Sequence, residues 1–412
     1  MSNIVAGTNI KTVELVPTEK KSHPFGTSME KCKLEENGYR EDEYFISGTA
    51  NVYSMQNKKK KEVFTDAPYV NRIIIRRPTN IKSFSGNVVV EILNSTAGFD
   101  IDRNWVLTKD FMMRNGDIYV GITSKPNVLK ALLRFDQERY SPLSWKNPNQ
   151  TPPNRKIPDE KLGNIAGHSS YETEDGLFWD MLVDLAKLLK SASDANPIKA
   201  YGDHYQFLSG WSQSGGYLIR FIKDFAYDSE DQDLFNGYLS YGTVSLCTPN
   251  LNQEDLTDPT TLDLTLPKLK SPMIEMHTES ENVSLNNHNS RMEDSEYYRV
   301  YDITGPSHNT QNTSDEYYKD DLDLKKAGFS SLYHGKELYP NNFPHEFAFQ
   351  AAQHSMYMWV RDGKHPISVE EIKVDDELNN VKDENGNSIG GWRLPPYKFS
   401  SMQVSRFFYP IE

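Results

Sequence analysis

Between Tyr205 and Phe225 the chain reads YQFLSGWSQSGGYLIRFIKDF, and no other stretch narrows the available folds as much. A short apolar run at Phe207 and Leu208 ends in Gly210-Trp211-Ser212-Gln213-Ser214-Gly215-Gly216. Beyond it Tyr217, Leu218, Phe221, Ile222 and Phe225 recur at helical spacing. The pattern is strand, sharp turn of small residues, helix. A G-x-S-x-G turn in that setting lifts a serine hydroxyl clear of a sheet and points the next backbone N–H at a developing oxyanion. Small residues flank the serine because strand and helix backbones approach closely there. Here Ser214 replaces the last glycine of the motif. A second frame, Ser212 to Gly216, would make Ser214 the nucleophile. Ser212 is preferred, because Gly210 directly follows the apolar run and Ser214 falls inside the helix. Trp211 is either core or pocket wall and is a candidate substrate contact, whereas Trp179 reads as core.

The flanking sequence supplies a sheet for this turn. Strand signals fall at 87–93 (NVVVEIL), 117–122, 237–241, 273–276 and 299–303; helical patterns fall at 102–113, 175–190 and 347–360. Strands alternating with helices predict an α/β fold with a mostly parallel central sheet and helices on both faces. Earlier strand signals lie at 12–16 and 70–76, and a hairpin or bent strand is expected from 43–46 and 50–53 around Ser47-Gly48-Thr49. Residues 1–40 read as an N-terminal extension and 41–412 as one catalytic domain. Loop-rich insertions are expected near 140–175 and 249–270.

Bulk properties exclude several classes of function. The 412 residues carry a formal net charge of −13, which argues against a phosphate backbone or an anionic membrane as partner. The one basic run, Lys58 to Lys61, reads as a solvated loop. Two cysteines, Cys32 and Cys247, make no disulfide framework and fit a reducing compartment. There is no signal-peptide pattern and no run as long as a membrane span. A soluble cytoplasmic protein is the expectation, with oligomeric state left open. No glycine-rich phosphate loop occurs, so no nucleotide cofactor is implied. His345-Glu346 begins like a zinc-protease motif, but position 349 is Phe; His277 beside Glu275 and Glu279 is too common a spacing to assign a metal.

A serine hydroxyl attacks poorly unless a base takes its proton and a carboxylate orients that base. After Ser212 the chain supplies an acid beyond the strand at 273–276, Glu279 or Glu281, and a histidine beyond the strand at 299–303, His308. Ser, acid, His is the chain order of α/β hydrolases, and strand ends are where open α/β sheets gather their sites. Glu281 is the better acid, lying four or five residues past the strand, with Glu279 in support or paired with Arg291. His277 and His354 are the reserve bases. Gln213 supplies one oxyanion N–H, and Asn94 or Ser95, after the best central strand, supplies the second.

The segments GWSQSGGYL (210–218), FNGYL (235–239), YDITGPSH (301–308) and HEFAFQAAQHSMYMWVRDGKHP (345–366) together resemble one branch of the α/β hydrolases. So do YFISGTANVY (44–53), VVVEILN (88–94) and GNSIGGWRLPPY (386–397). That branch carries a G-x-S-Q-S-G elbow and goes mostly by the name alpha/beta hydrolase domain protein. The resemblance runs from about residue 40 to the C-terminus. It implies ester hydrolysis of a small-molecule substrate through an acyl-enzyme, with Ser212 as nucleophile and His308 as base. The branch often has Thr-Glu-x-Asp where this chain has Thr278-Glu279-Ser280-Glu281, so Glu281 occupies the Asp position. Asn94-Ser95-Thr96 stands where a His-Gly oxyanion loop is usual. A peptidase or amidase with the same triad, or an inactive binding protein on the same fold, are the alternatives.

Overall fold

Nine strands form one sheet in the order β1-β2-β3-β5-β4-β6-β7-β8-β9. The computed structural model describes residues 4–26, 29–57, 59–149, 172–228, 233–243, 249–253, 265–284, 291–329, 341–377 and 379–393. Strands β1 (Ile10–Val16), β2 (Tyr39–Gln56) and β3 (Lys59–Pro78) are antiparallel, and β3 meets β5 (Ile118–Ile122) antiparallel. From there β5, β4 (Asn87–Ile92), β6 (Tyr205–Trp211), β7 (Gly237–Tyr241), β8 (Met273–Thr278) and β9 (Tyr298–Ile303) are all parallel.

The β-branched runs make the parallel half because both of its faces are covered. On β4, Val88, Val90 and Ile92 enter one core and Val89 enters the other, as a period of two requires. The first core holds the helices α2 (Phe178–Lys190) and α3 (Gln213–Asp224). The second holds α1 (Arg103–Asn115) and α5 (Glu346–Asp362). Trp179 lies in the first core, stacked on Tyr217 at 5.4 Å and on Phe225 at 5.2 Å. Each such aromatic pair adds about 0.5–1.5 kcal/mol beyond its buried area.

At the antiparallel end one alternative is decided and two expectations change. Of the hairpin and the bent strand, the bent strand is found: the segments at 43–46 and 50–53 belong to a single strand of 18 residues, bulged near Val52. Gly48 makes no turn: a Cβ there would sit 2.6 Å from Asn9 O, so glycine admits the neighbouring chain. Residues 10–16, read as lying ahead of the domain, are the edge strand of the sheet. Lys59–Lys61 open β3 and are no solvated loop; the Lys60 ammonium lies 3.7 Å from the centre of the Phe225 ring and bonds Asp228. Lys58, Cys247 and most of the two expected insertions (150–171 and 254–264) lie outside the described residues.

Connections place the crevice. The chain passes from β4 to β5 on one side and then crosses to β6 on the other, so the strand order reverses between β4 and β6. Ligands in open α/β sheets bind at that reversal, beyond the carboxyl ends of the strands. Glu91, buried near the end of β4, ties that strand to the start of α1. Its carboxylate accepts the backbone N–H groups of Asn104 (2.7 Å) and Trp105 (3.1 Å) at the start of α1 and the Tyr119 hydroxyl (2.9 Å). Burial, then the nearby Asp102, pushes its pKa up to about 8 from an ordinary 4.5, against those hydrogen bonds.

A raised acid pKa means the folded protein holds a proton that the unfolded chain has released. Glu91 therefore contributes stability below pH 4.5 that is lost as pH rises to about 8. His345, held neutral by burial and by Arg103, acts in the opposite sense at acid pH. The measurement is thus a difference: across pH 5–8, urea unfolding of Glu91→Gln should gain on the parent as pH rises. A constant difference between the two would contradict this assignment.

Candidate functional site

The turn between β6 and α3 is strained at its first residue. Ser212 sits at φ 56° and ψ −117°, a conformation few residues with a Cβ adopt, at a cost on the order of 1–3 kcal/mol. Its N–H donates to Tyr241 O at 2.9 Å, and its carbonyl accepts from Gly215 at 3.0 Å, so strand and helix over-determine the bend. Close approach explains the motif's glycines. A Cβ on Gly210 would lie 2.2 Å from Ser214 O, and one on Gly215 would lie 2.2 Å from Thr243 Oγ1. Serine is tolerated at 214 because the tight contact falls one residue later. Ser214 is in the helix, 1% exposed, and its hydroxyl has no partner among the described residues. Ser212 is half-buried at the crevice.

Two loops from β8 and β9 meet beside this turn. β8 runs to Thr278, two residues further than expected, so Glu281 lies in the first turn of a short helix, α4 (Glu279–Ser284), and not on a free loop. Its carboxylate, fully buried, accepts from the Thr278 N–H and from His308 Nδ1. A carboxylate can only accept, so in this contact Nδ1 is the donor. The His308 N–H donates to Ser280 Oγ at 2.7 Å. The ring lies 5.2 Å from that of Trp211 and is about one-fifth exposed. A Cβ on Gly242 would come within 3.1 Å of Trp211 and 3.3 Å of His308 Cε1, so glycine, at φ 52°, leaves room for both rings.

The remaining candidates separate. Glu279 is buried but bonds Lys382, Ser388 and the Gly305 N–H. Its expected partner, Arg291, pairs with Asp302 and Glu371 instead. His277 is buried in the sheet against Glu275 at 3.1 Å, and His354 is on the exposed side of α5 against Phe111. His345 packs edge-on against Phe349 and lies 6.2 Å from Trp211.

After β4, Asn94 is spent on structure. Its N–H and C=O bridge to Ile101, its amide donates to Trp211 O at 3.0 Å, and its Oδ1 accepts from Thr96. Ser95, fully buried, donates its hydroxyl to Gln213 Oε1 at 3.2 Å, and its backbone N–H makes no hydrogen bond among the described residues. Sequence reasoning missed Ser280 and Asn309, whose side chain receives a bond from Arg103, the guanidinium lying over Trp211. A serine between two glutamates and an asparagine after a histidine carry no signal of their own.

The family model for the alpha/beta hydrolase domain matches residues 11–405. The protein belongs to that family. No curated protein matches this alpha/beta hydrolase. It is similar to solved structures at low identity. A Rhizomucor miehei fungal esterase is 9% identical, with 84% of this chain and 94% of that one covered and a TM-score of 0.38. A hyperthermophilic esterase from Pyrobaculum calidifontis is 10% identical, with 81% and 90% covered and a TM-score of 0.36. A poly(3-hydroxybutyrate) depolymerase from Bordetella parapertussis is 16% identical, with 78% and 92% covered and a TM-score of 0.31. Among the described residues, no helix of the hydrolase is long and apolar enough to cross a membrane.

Proposed function

We propose that this alpha/beta hydrolase, of the branch with a G-x-S-Q-S-G elbow, is a serine esterase that cleaves a small carboxylic ester through an acyl-enzyme on Ser212. The observation that carries the reading is His308, fastened through Nδ1 to the buried Glu281 beside the Ser212 turn. With its proton on Nδ1, the ring accepts the Ser212 proton at Nε2 as Oγ attacks the ester carbonyl. It then returns the proton to the leaving alcohol. Glu281 stabilises the imidazolium formed in between. The oxyanion is met by the N–H of Gln213, first residue of α3, and by the N–H of Ser95. Asn94 acts by anchoring the donor loop to Trp211 O. Water then attacks the acyl-enzyme along the same proton path. The strained φ of Ser212 supports this role over Ser214, because strain of that kind persists where a side chain must be held out toward substrate.

A fluorophosphonate probe with p-nitrophenyl acetate tests the reading: labelling at one serine together with turnover is expected, and neither would be seen for a binding protein. Asn94→Ala should lower kcat by about 10–100-fold with little change in KM, since it frees the donor loop without touching substrate. Parental kcat in that variant would remove the 94–96 segment from the oxyanion site.

A further inference from the structure

Glu279 opens α4 two residues before Glu281 and makes contacts in two directions. Inward, its Oε2 accepts the Gly305 N–H at 2.8 Å, and its own N–H donates to Pro306 O at 3.2 Å. Both bonds hold the loop that ends in His308. That loop has little slack: Gly305 is at φ 108°, and a Cβ there would lie 2.8 Å from the Phe343 ring. Outward, Oε1 accepts from Ser388 Oγ at 2.6 Å and from Lys382 Nζ, while Asn380 Nδ2 reaches Glu279 O at 3.4 Å. Residues 380–388 are themselves ordered by Val381 N–H to Lys373 O and Ile389 N–H to Val381 O, at 2.8 and 2.9 Å. The same segment closes on the base of the histidine loop, with Thr304 Oγ1 donating to Gly390 O and Trp392 N–H to Asp302 O.

We propose that Glu279 is a positioning residue that clamps the C-terminal segment 380–388 onto the His308 loop, so that this segment sets the reach of the histidine toward Ser212. The proposal rests on the esterase reading above. Glu279 does not touch the His308 ring. It fixes the backbone three residues earlier, while Ser280 and Glu281 fix the ring's own residue and Nδ1. One carboxylate serves the loop with one oxygen and the C-terminal segment with the other. Loss of one oxygen leaves either the part-buried Gly305 N–H or the buried Ser388 hydroxyl without its carboxylate acceptor and lets the two units part. A shift of about 1 Å in a proton acceptor costs on the order of 10²-fold in rate.

The test uses Glu279→Gln, which keeps the size and one acceptor, and Lys382→Met, which keeps the aliphatic stem of a side chain two-fifths exposed. With p-nitrophenyl acetate, kcat should fall about 10–100-fold in Glu279→Gln and about 3–10-fold in Lys382→Met, each with KM within about 2-fold of parent. The double variant should be no more than about 2-fold slower than Glu279→Gln, since both break one clamp. Parental kcat in Glu279→Gln, losses that simply multiply in the double variant, or losses in KM alone would overturn the proposal. If Glu279→Gln does not fold, Lys382→Met decides, and an unchanged kcat there overturns it. Ser212→Ala runs alongside. If it is inactive while the clamp variants match the parent, only the clamp fails; if it stays active, the esterase reading falls and the clamp with it.

Discussion

Ser212→Ala should abolish fluorophosphonate labelling and lower kcat by at least about 10⁴-fold, with the fold intact. The expectation follows from the chemistry of the turn. Among the candidate nucleophiles only Ser212 stands outside the helix, at the carboxyl end of β6 and next to Trp211, whose ring packs on His308. The substitution keeps a Cβ at φ 56°, so the backbone strain is unchanged and no buried hydrogen bond is lost. The melting temperature should stay within about 2 °C of parent. Ser214→Ala is the matched control. Its hydroxyl is buried without a partner among the described residues, so its removal should leave labelling at the parental rate. The opposite outcome, labelling lost in Ser214→Ala and kept in Ser212→Ala, would move the nucleophile into the second frame.

The parts legible from sequence were those whose cause is local. The change from a strand pattern at Phe207 and Leu208 to helical spacing after Gly216 announces β6, the bend and α3, because side-chain period follows backbone geometry directly. Val88–Ile92 announces a buried central strand for the same reason. What stayed hidden depends on pairs far apart in the chain. Gly48 looks like a turn residue until Asn9, brought beside it by β1, explains it as a close approach. Lys60 looks solvated until Phe225 lies under its ammonium. Asn94 and Ser95 are equal in sequence as donors. Only the bridge to Ile101 and the bond to Trp211 O show that Asn94's polar groups are already used. Glu279 and Lys382 are 103 residues apart, and neither neighbourhood contains a sign of the other. Glu281, expected on a loop four or five residues past the strand, lies in a helical turn, because β8 runs two residues longer.

Glu281→Gln should cost about 10³–10⁴-fold in kcat, far more than any change at Glu279. The two glutamates differ in what they face. The carboxylate of Glu281 takes two donors at once, the Thr278 N–H on one oxygen and His308 Nδ1–H on the other, in a fully buried position. Glutamine has one oxygen for these two donors. If the oxygen goes to Thr278, the amide NH₂ faces His308, whose Nδ1 must then accept and whose Nε2 then carries the proton. That tautomer cannot take a proton from Ser212. If the oxygen goes to His308, the NH₂ is forced against the Thr278 N–H, and two buried donors confront each other without an acceptor. Either way the base is disabled although the side chain keeps its volume. Glu281→Asp should recover part of the loss, because it restores a two-oxygen acceptor one methylene shorter. His308→Ala provides the ceiling, and Glu281→Gln combined with it should be no slower than His308→Ala alone if both act through one ring. A Glu281→Gln enzyme within about 10-fold of parent, alongside a Glu279→Gln enzyme reduced about 10³-fold, would transfer the acid's role to Glu279.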